Sequence, residues 1–479
     1  MNLEKEQHQE LELQVGTLEK GQRLKFKELI RKYEDIFVKS KNELGKSGVT
    51  KHGIDVGDVK PVRNRAYSAV GKRKEIIEGE IRKMLEKGVI RKSKSPWASP
   101  ITLVPKKNGE IRFCVDYREL NSITKKDSHP LPRINDMLDV FTGSKWFTSL
   151  DMASGYWQVE MEEKDIEKTA FITHEGLYEF VVMPFGLCNA PATFQRMMHE
   201  VLGELIYTKA PVYIDDVNVH SKTFEQHLKD LQEVFERIRK SGLKLRIDKC
   251  HFCYQELKFL GYVIGKDGVK VDQDKIEKVK NFPRPMNITE LREFIGLASY
   301  YRRFIKGFSE IVKPLTELFS KNKEYVWNEK RKESFEKLKE KLITAPVLIY
   351  PDFEKEFILL TDASDFAWGA VLAQENSNNQ EHVIQYASGS FTEPEKNYST
   401  TEKECLAVIK GIEKFHQYLY GQKFKVITDH YALKWLKKAP MKGRLARWVL
   451  RLQPFDFEVI HKEGKKHKNA DALSRIRRD

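Results

Sequence analysis

The chain has 479 residues, with 84 Lys and Arg against 70 Asp and Glu, and a formal net charge of +14. At roughly 150 residues per domain this length suggests about three folding units, and a composition that is 32% charged and 40% apolar excludes disordered, fibrous and disulfide-stapled classes. No apolar run reaches membrane-spanning length, so no membrane partner is expected and a polyanion is the first partner to consider.

The excess charge is localised. Residues 61–130 carry 17 Lys and Arg against 8 Asp and Glu, residues 442–479 carry 11 against 5, and the rest is almost neutral. Two basic segments suggest two contact surfaces, although solvated lysine-rich helix faces account equally well for either one. Five cysteines without regular spacing suggest a reducing compartment, and the charged N-terminus is unlike a secretory or transit signal, so an intracellular location is expected. Cys250 and Cys253 form a C-x-x-C with no second ligand pair at zinc-finger spacing, and read as two semi-buried thiols.

Helical apolar spacing runs through residues 24–37, followed by a polar stretch read as linker. Within it Asp55-Val56-Gly57 has the outline of an aspartic-protease D-[ST]-G loop without its hydroxyl residue. Ile76, Ile77, Ile81, Met84 and Leu85 predict an amphipathic helix closed by Gly88. In residues 101–120, Asn108-Gly109 between β-rich flanks predicts a hairpin, with Ile111, Phe113, Val115 and Tyr117 on one face and Arg112, Cys114, Asp116 and Arg118 on the other. Residues 147–159 read as an apolar strand ending at Asp151, and residues 179–202 as strand, Pro/Gly loop and helix. Residues 210–221 predict a hairpin whose turn holds Asp215 and Asp216. A helix over 224–240, carrying Phe224, Leu228, Leu231, Phe235 and Ile238, stops at Ser241-Gly242. Helices dominate 273–344. From 356 the pattern becomes strand-rich around a helix over 399–421, entered through a capping box from Thr401 to Glu404.

Two acidic constellations result. Asp151, Asp215 and Asp216 converge if strand end and hairpin are neighbours, and like charges brought together call for hard divalent cations. Two such ions can activate a 3′-hydroxyl and stabilise a leaving pyrophosphate in phosphoryl transfer. The second set is Asp362, Glu404, Asp429 and Asp471.

The YIDD at 213–216, flanked by β-formers, matches the [YF]-x-D-D signature of reverse transcriptases. PKKNGEIRFCVDYRELN, HPLPRI, DMASGYWQV, MPFGLCNAPATFQ, KFLGYVI, REFIGLASYYRRFI and TDASDFAWGAVLAQ accompany it in order. Residues 25–476 thus resemble the polymerase and RNase H region of a gypsy-type LTR retrotransposon. The resemblance implies a multidomain α/β and α+β chain: an N-terminal linker or extension (1–60), fingers and palm of a right-hand polymerase (61–262), thumb and connecting helices (263–350), and an RNase H-like α/β domain (351–479). The implied function is RNA- and DNA-directed DNA synthesis with cleavage of the RNA strand of RNA–DNA hybrids.

By the same resemblance, Asp151, Asp215 and Asp216 hold two Mg²⁺ or Mn²⁺ ions for synthesis. Lys106 and Arg112 hold the triphosphate of a dNTP, Asp116 orients the template, and Arg118 equally suits a salt bridge. Tyr156 excludes a ribose 2′-hydroxyl, and Phe185-Gly186 lies near the sugar, where retroviral relatives have Gln before the Gly. Phe259, Leu260, Gly261 and Tyr262 resemble the primer grip, or form an ordinary buried strand. Lys249, with Lys244 as the alternative, would protonate pyrophosphate. Asp362, Glu404, Asp429 and Asp471 would hold two ions for RNA hydrolysis. Glu402 and Glu404 compete for the second position, and His461 has the spacing of a mobile histidine. The implied partners are an RNA template, a DNA primer, the hybrid and dNTPs, for a monomer or homodimer in the cytoplasm within virus-like particles. All seven acids are present, against the alternative of a domesticated protein that only binds nucleic acid. No zinc knuckle or integrase finger occurs, so capsid and integration chemistry are expected elsewhere in a precursor.

Overall fold

In the computed structural model residues 13–38, 43–105, 111–320, 324–376, 378–431 and 444–462 are described. They form two compact units, divided between Leu257 and Lys258. Both mix helices with sheets, as the expected fold class requires.

The first unit is organised by a five-stranded sheet ordered Gln14–Val15, His251–Tyr254, Trp146–Asp151, Asp216–Ser221 and Val212–Tyr213. Helices Ala190–Leu202 and Phe224–Ser241 pack on it through Phe194, Met197, Met198, Leu231, Val234 and Phe235, all fully buried. Helix Phe224–Ser241 begins where the Thr223 hydroxyl accepts the Gln226 N–H and ends at Gly242, whose φ of +75° suits glycine. Its buried face differs from the expected stripe: Leu228 is half-buried, while His227 and Asp230 are buried with the apolar residues. Burial is tolerable because His227 bonds the Thr148 and Ser221 hydroxyls (2.7 and 3.1 Å), and Asp230 accepts from Ser221 (2.7 Å) and pairs with Lys209 (3.2 Å). A second sheet runs Ile90–Lys92, Gly176–Phe180, Phe171–Thr173, Ser99–Pro105 and Ile111–Val115.

The stretch read as linker is built into this unit. Gln14 and Val15 pair in parallel with His251 and Phe252, and helix Lys20–Lys32 buries Phe26, Leu29 and Ile30 in the common core. Asp55 bonds Lys125 (2.9 Å) and caps its own turn at Gly57.

In the second unit, strands Glu256–Phe259, Tyr262–Gly265 and Gly268–Val271 form a small sheet, and helices Ile288–Tyr300, Phe308–Thr316 and Glu329–Ile343 follow. A five-stranded sheet then runs Glu381–Ser390, Ala367–Glu375, Phe357–Ala363, Lys423–Thr428 and Asp456–His461, antiparallel between its first three strands and parallel thereafter. Helix Thr400–Lys414 lies close on it. At Gly411 an added Cβ would meet Ala370 Cβ at 3.2 Å, so glycine permits the approach.

Candidate active sites

Antiparallel register places Asp216 directly opposite Asp151 at the end of the central strand. Tyr213 pairs with Asp216, so the turn is Ile214-Asp215 alone: Asp216 opens the following strand instead of sharing the turn as expected. Ile214 has φ of +55°, rare for a β-branched residue, and its N–H is held by Gln195 Oε1 at 2.9 Å. Asp215 is thereby turned toward Gly155, where an added Cβ would stand 2.8 Å from Oδ1.

All three carboxyls are pushed upward. Burial raises Asp215 to about 6, with Asp216 and Asp151 adding like-charge repulsion. Asp216, open to solvent on one side, is raised by the protein around it and then by Asp151. Burial also raises Asp151, opposed by Lys249 and Arg246. Asp215 Oδ1 is buried without a hydrogen-bond partner. Neighbouring carboxylates that repel one another, a buried unpaired oxygen and carboxyls hard to ionise are what a divalent cation would resolve, so these residues fit one.

A cavity of about 630 Å³ adjoins this cluster, lined among others by Asp151, Asp215, Arg112, Phe185, Gly186 and Lys249. Lys249 Nζ is 3.9 Å from Asp151 Oδ2, whereas Lys244 is directed to the Asp35 carbonyl and Glu43. Of the two aromatics assigned to the sugar, Tyr156 is buried at 9% exposure and Phe185 is 53% exposed. Their rings stack at 5.0 Å and 28°, so Phe185 presents its ring to the cavity and Tyr156 backs it. Gly186, with φ of +100°, is fixed by Asn121 Nδ2 donating to its carbonyl at 2.8 Å.

Asp116 and Arg118 pair with each other, Arg118 donating from Nε at 2.8 Å and Nη2 at 2.6 Å, and this holds the Asp116 carboxyl below its ordinary range. The strand ends at Val115, and Tyr117 begins a short helix, so the expected alternation does not extend to Arg118. Lys106 and the Asn108-Gly109 turn lie outside the described residues, although Pro105 and Ile111 pair on either side of them. Cys250 and Cys253 are both fully buried, and Cys250 Sγ accepts the Asp151 N–H at 3.4 Å.

Leu260 and Gly261, in the second unit, form a two-residue turn with φ of +47° and +80° instead of a continuous buried strand. Tyr300 and Tyr301 hydroxyls donate to the Leu260 and Gly261 carbonyls at 2.6 and 2.9 Å.

The second cluster joins Asp362, Glu404 and Asp429, whose carboxylate oxygens lie within 4.8 Å of one another. The helix entering it is capped two residues earlier than expected: Ser399, not Thr401, is the N-cap, and Glu402 closes the capping box and pairs with Arg444 (3.1 Å). Glu404 is thereby left to face the aspartates. Its Oε1 accepts the Ala363 N–H at 3.1 Å, and its buried Oε2 has no partner. Burial, then Asp362 and Asp429, raise the Glu404 carboxyl to about 8. This set fits a divalent cation on the same grounds as the first. His461 bonds the Asp429 carbonyl through Nε2 at 2.9 Å. Asp471 lies outside the described residues.

Sequence reasoning missed Gln195 and Arg246. A polar residue within a helix and an Arg two positions before an Asp carry no local signal of their site.

The family model for reverse transcriptase (RNA-dependent DNA polymerase) matches residues 104–264, and that for the RNase H-like domain found in reverse transcriptase matches 352–455. A model for spumavirus aspartic protease (A9) matches residues 1–75, whose described part supplies to the first unit two two-residue strands, helix Lys20–Lys32, the short turn of helix Glu34–Ile36 and the start of helix Lys72–Glu86. The chain is 38% identical, over 97% of its length, to a retrovirus-related Pol polyprotein from transposon 297 of Drosophila melanogaster, covering 44% of that protein. It is 37% identical, over 87%, to the Tf2-3 transposon polyprotein of Schizosaccharomyces pombe, covering 31%. The chain therefore spans less than half the length of these relatives. Among solved structures, a foamy viral protease-reverse transcriptase in complex with double-stranded DNA superposes with TM-score 0.83 at 25% identity, covering 94% of this chain and 95% of that one. The same kind of protein in complex with an RNA/DNA hybrid gives 0.77 at 25% identity, covering 94% and 61%. Two ordered domain matches, each containing one acidic cluster, place the chain among the reverse transcriptases joined to an RNase H domain, as in the Pol polyproteins of LTR retrotransposons.

Proposed function

We propose that the chain copies RNA and DNA templates into DNA at the Asp151, Asp215 and Asp216 centre, and cleaves the RNA strand of hybrids at the Asp362, Glu404 and Asp429 centre, with Asp471 as its fourth acid. The observation that carries this reading is that two separate carboxylate clusters, each with a buried unpaired oxygen, lie in the two matched domains in that order. Two Mg²⁺ or Mn²⁺ ions per centre would supply the charge that activates the attacking oxygen and stabilises the leaving one.

Around the first centre, Arg112 offers a planar fork to the triphosphate, with Lys106 from the adjoining turn. Phe185 and Tyr156 wall the sugar, Gly186 leaves room for it, and Lys249 holds a proton near the departing pyrophosphate. Leu260 and Gly261 position the primer end. In this reading residues 61–262 act as fingers and palm, 263–350 as thumb and 351–479 as RNase H domain. The foamy viral complexes with double-stranded DNA and with hybrid support a template–primer duplex as partner.

Primer extension on an end-labelled RNA template, with and without Mg²⁺, reads both activities together. Asp215→Asn should abolish extension and spare RNA cleavage, and Asp362→Asn should do the reverse. Extension surviving Asp215→Asn but lost in Asp362→Asn would overturn the assignment of the two centres.

A further inference from the structure

A second cavity, of about 450 Å³, opens beside the RNase H acids, and only part of its lining comes from the RNase H-like domain. Asp362 and Asp429 line one side. The other carries Lys306, Lys337 and Lys341, from the helical segment that precedes the matched residues 352–455. Lys337 and Lys341 are four residues apart on helix Glu329–Ile343 and so share a face, each one position before the buried Leu338 and Leu342. Lys306 lies next to Gly307, the N-cap of helix Phe308–Thr316. One further acid, Glu310, lies on this side.

The helices are fastened to the RNase H sheet. The Ser309 N–H donates to Ser388 Oγ at 3.0 Å, the Ser388 hydroxyl donates to Ser309 Oγ at 3.1 Å, and the Lys313 ammonium stands 3.6 Å over the Phe366 ring. The chain leading into the domain is tied as well: Leu348 and Val269 exchange two backbone hydrogen bonds, and the Ile349 N–H bonds the Val383 carbonyl. The lysines are thus held opposite the acids by the fold.

Among the described residues none of the three lysines makes an ion pair with a carboxylate. Three unspent ammonium groups sharing a cavity with Asp362 and Asp429 make no ion pair with them, and the ligand that satisfies both sets is a polyanion whose phosphates reach the lysines while the acids, with their cations, engage the scissile link. Lysine, a flexible point charge, suits backbone phosphate without reading sequence.

We propose that Lys306, Lys337 and Lys341 hold the sugar–phosphate backbone of the RNA–DNA hybrid at the RNase H centre, so that helices outside the RNase H-like domain complete its substrate site. This rests on the hybrid-cleaving function proposed above. The three lysines are positioning residues, and they act on substrate affinity.

The test uses the full chain and a uniformly labelled RNA–DNA hybrid, with steady-state cleavage measured across a salt series for wild type, Lys337→Gln/Lys341→Gln, Lys337→Arg/Lys341→Arg and Asp362→Asn. The Gln pair should raise KM for hybrid about tenfold at physiological salt, with kcat within about twofold. The slope of log KM against log salt should become shallower by about one per lysine removed. The Arg pair should retain wild-type KM and slope, which separates charge from packing. Unchanged KM and slope in the Gln pair would overturn the proposal. So would faster cleavage, because the lysines would then be screening the acids from substrate. Loss of cleavage in Asp362→Asn upholds the RNase H reading whichever way the lysine variants fall, and survival of cleavage there would refute that reading itself.

Discussion

Replacing Gly155 by alanine would put a Cβ 2.8 Å from Asp215 Oδ1 and 3.3 Å from Phe194 Cζ. Ordinary carbon contacts begin near ~3.5 Å, so something must retreat by at least about half an ångström. Phe194 is fully buried in the core and has nowhere to go. Asp215 therefore moves, and its turn has little slack, because Ile214 is already at φ +55° and tied to Gln195. Misplacing a catalytic group by ~1 Å costs on the order of 10²-fold, so half that displacement should lower kcat for nucleotide addition by roughly 10-fold. Overpacking should cost about 1–3 kcal/mol of stability. Steady-state primer extension on a DNA template measures the first effect and hybrid cleavage by the same preparation is the control, since the Asp362 centre belongs to the other unit. Full extension activity in Gly155→Ala would refute the tight seating of Asp215. An equal loss of both activities would show general unfolding instead.

Three further outcomes follow from the same geometry. His52, His220 and His227 are buried, with imidazoles pushed down to about 4, 4 and 3 by desolvation. A depressed histidine favours the fold above its unfolded pKa, and that contribution is lost as pH falls from about 6.5 toward the folded value. At pH 5 each withdraws about 2 kcal/mol. Urea midpoints at pH 7 and 5 should therefore differ less in His52→Gln than in wild type, and an equal drop in both proteins would sink the idea. Glu404 has the opposite sign: its carboxyl is raised to about 8, so without divalent metal its burial costs stability increasingly as pH rises from about 4.5 toward 8. Glu404→Gln should stabilise the metal-free protein by about 1–3 kcal/mol at pH 7 while lowering hybrid cleavage at least about 10²-fold, read by thermal melting in chelator and by cleavage in Mg²⁺. Thr223→Ala removes the cap of helix Phe224–Ser241 and should cost about 1 kcal/mol in denaturant unfolding, with no change in KM for dNTP.

Much of the site was legible because strand periodicity and turn chemistry are local. A hairpin over 210–221 and a strand ending at Asp151 are sufficient to predict that three carboxylates meet once the two segments are neighbours, and the register of Asp216 opposite Asp151 realises it. The ordered motifs supplied the adjacency that periodicity cannot. Tertiary effects were not legible. Residues 1–60 read as a linker or extension with helical spacing over 24–37, and nothing local says where it docks: Gln14 and Val15 find a free sheet edge, and Phe26 and Ile30 find a core formed by residues some 200 positions later. His227 and Asp230 interrupt an otherwise apolar face because Thr148 and Ser221 wait beneath the helix. The capping box was misread by two residues because Ser399–Glu402 and Thr401–Glu404 both satisfy the pattern. Only the competition for Arg444 and for the two aspartates decides between them.

That competition links local structure to chemistry. A glutamate that caps a helix spends its charge on backbone N–H groups, and the structure holds the Glu402 carboxyl below its ordinary range through those bonds to Ser399. Two residues on, Glu404 has one backbone N–H and two aspartates, and its carboxyl rises to about 8. Asp215 rises only to about 6 in the other centre, where Lys249 and Arg246 counter the charge of the neighbouring Asp151. The RNase H acids have no ion-paired cation of this kind among the described residues, and Lys306, Lys337 and Lys341 share a cavity with Asp362 and Asp429 without pairing with them. The second centre is thus the more frustrated of the two when empty. The electrostatic relief it gains from divalent cations and from the phosphates beside the lysines should be correspondingly larger, so hybrid cleavage should persist to lower divalent-metal concentration than DNA synthesis does as metal is withdrawn from the same enzyme.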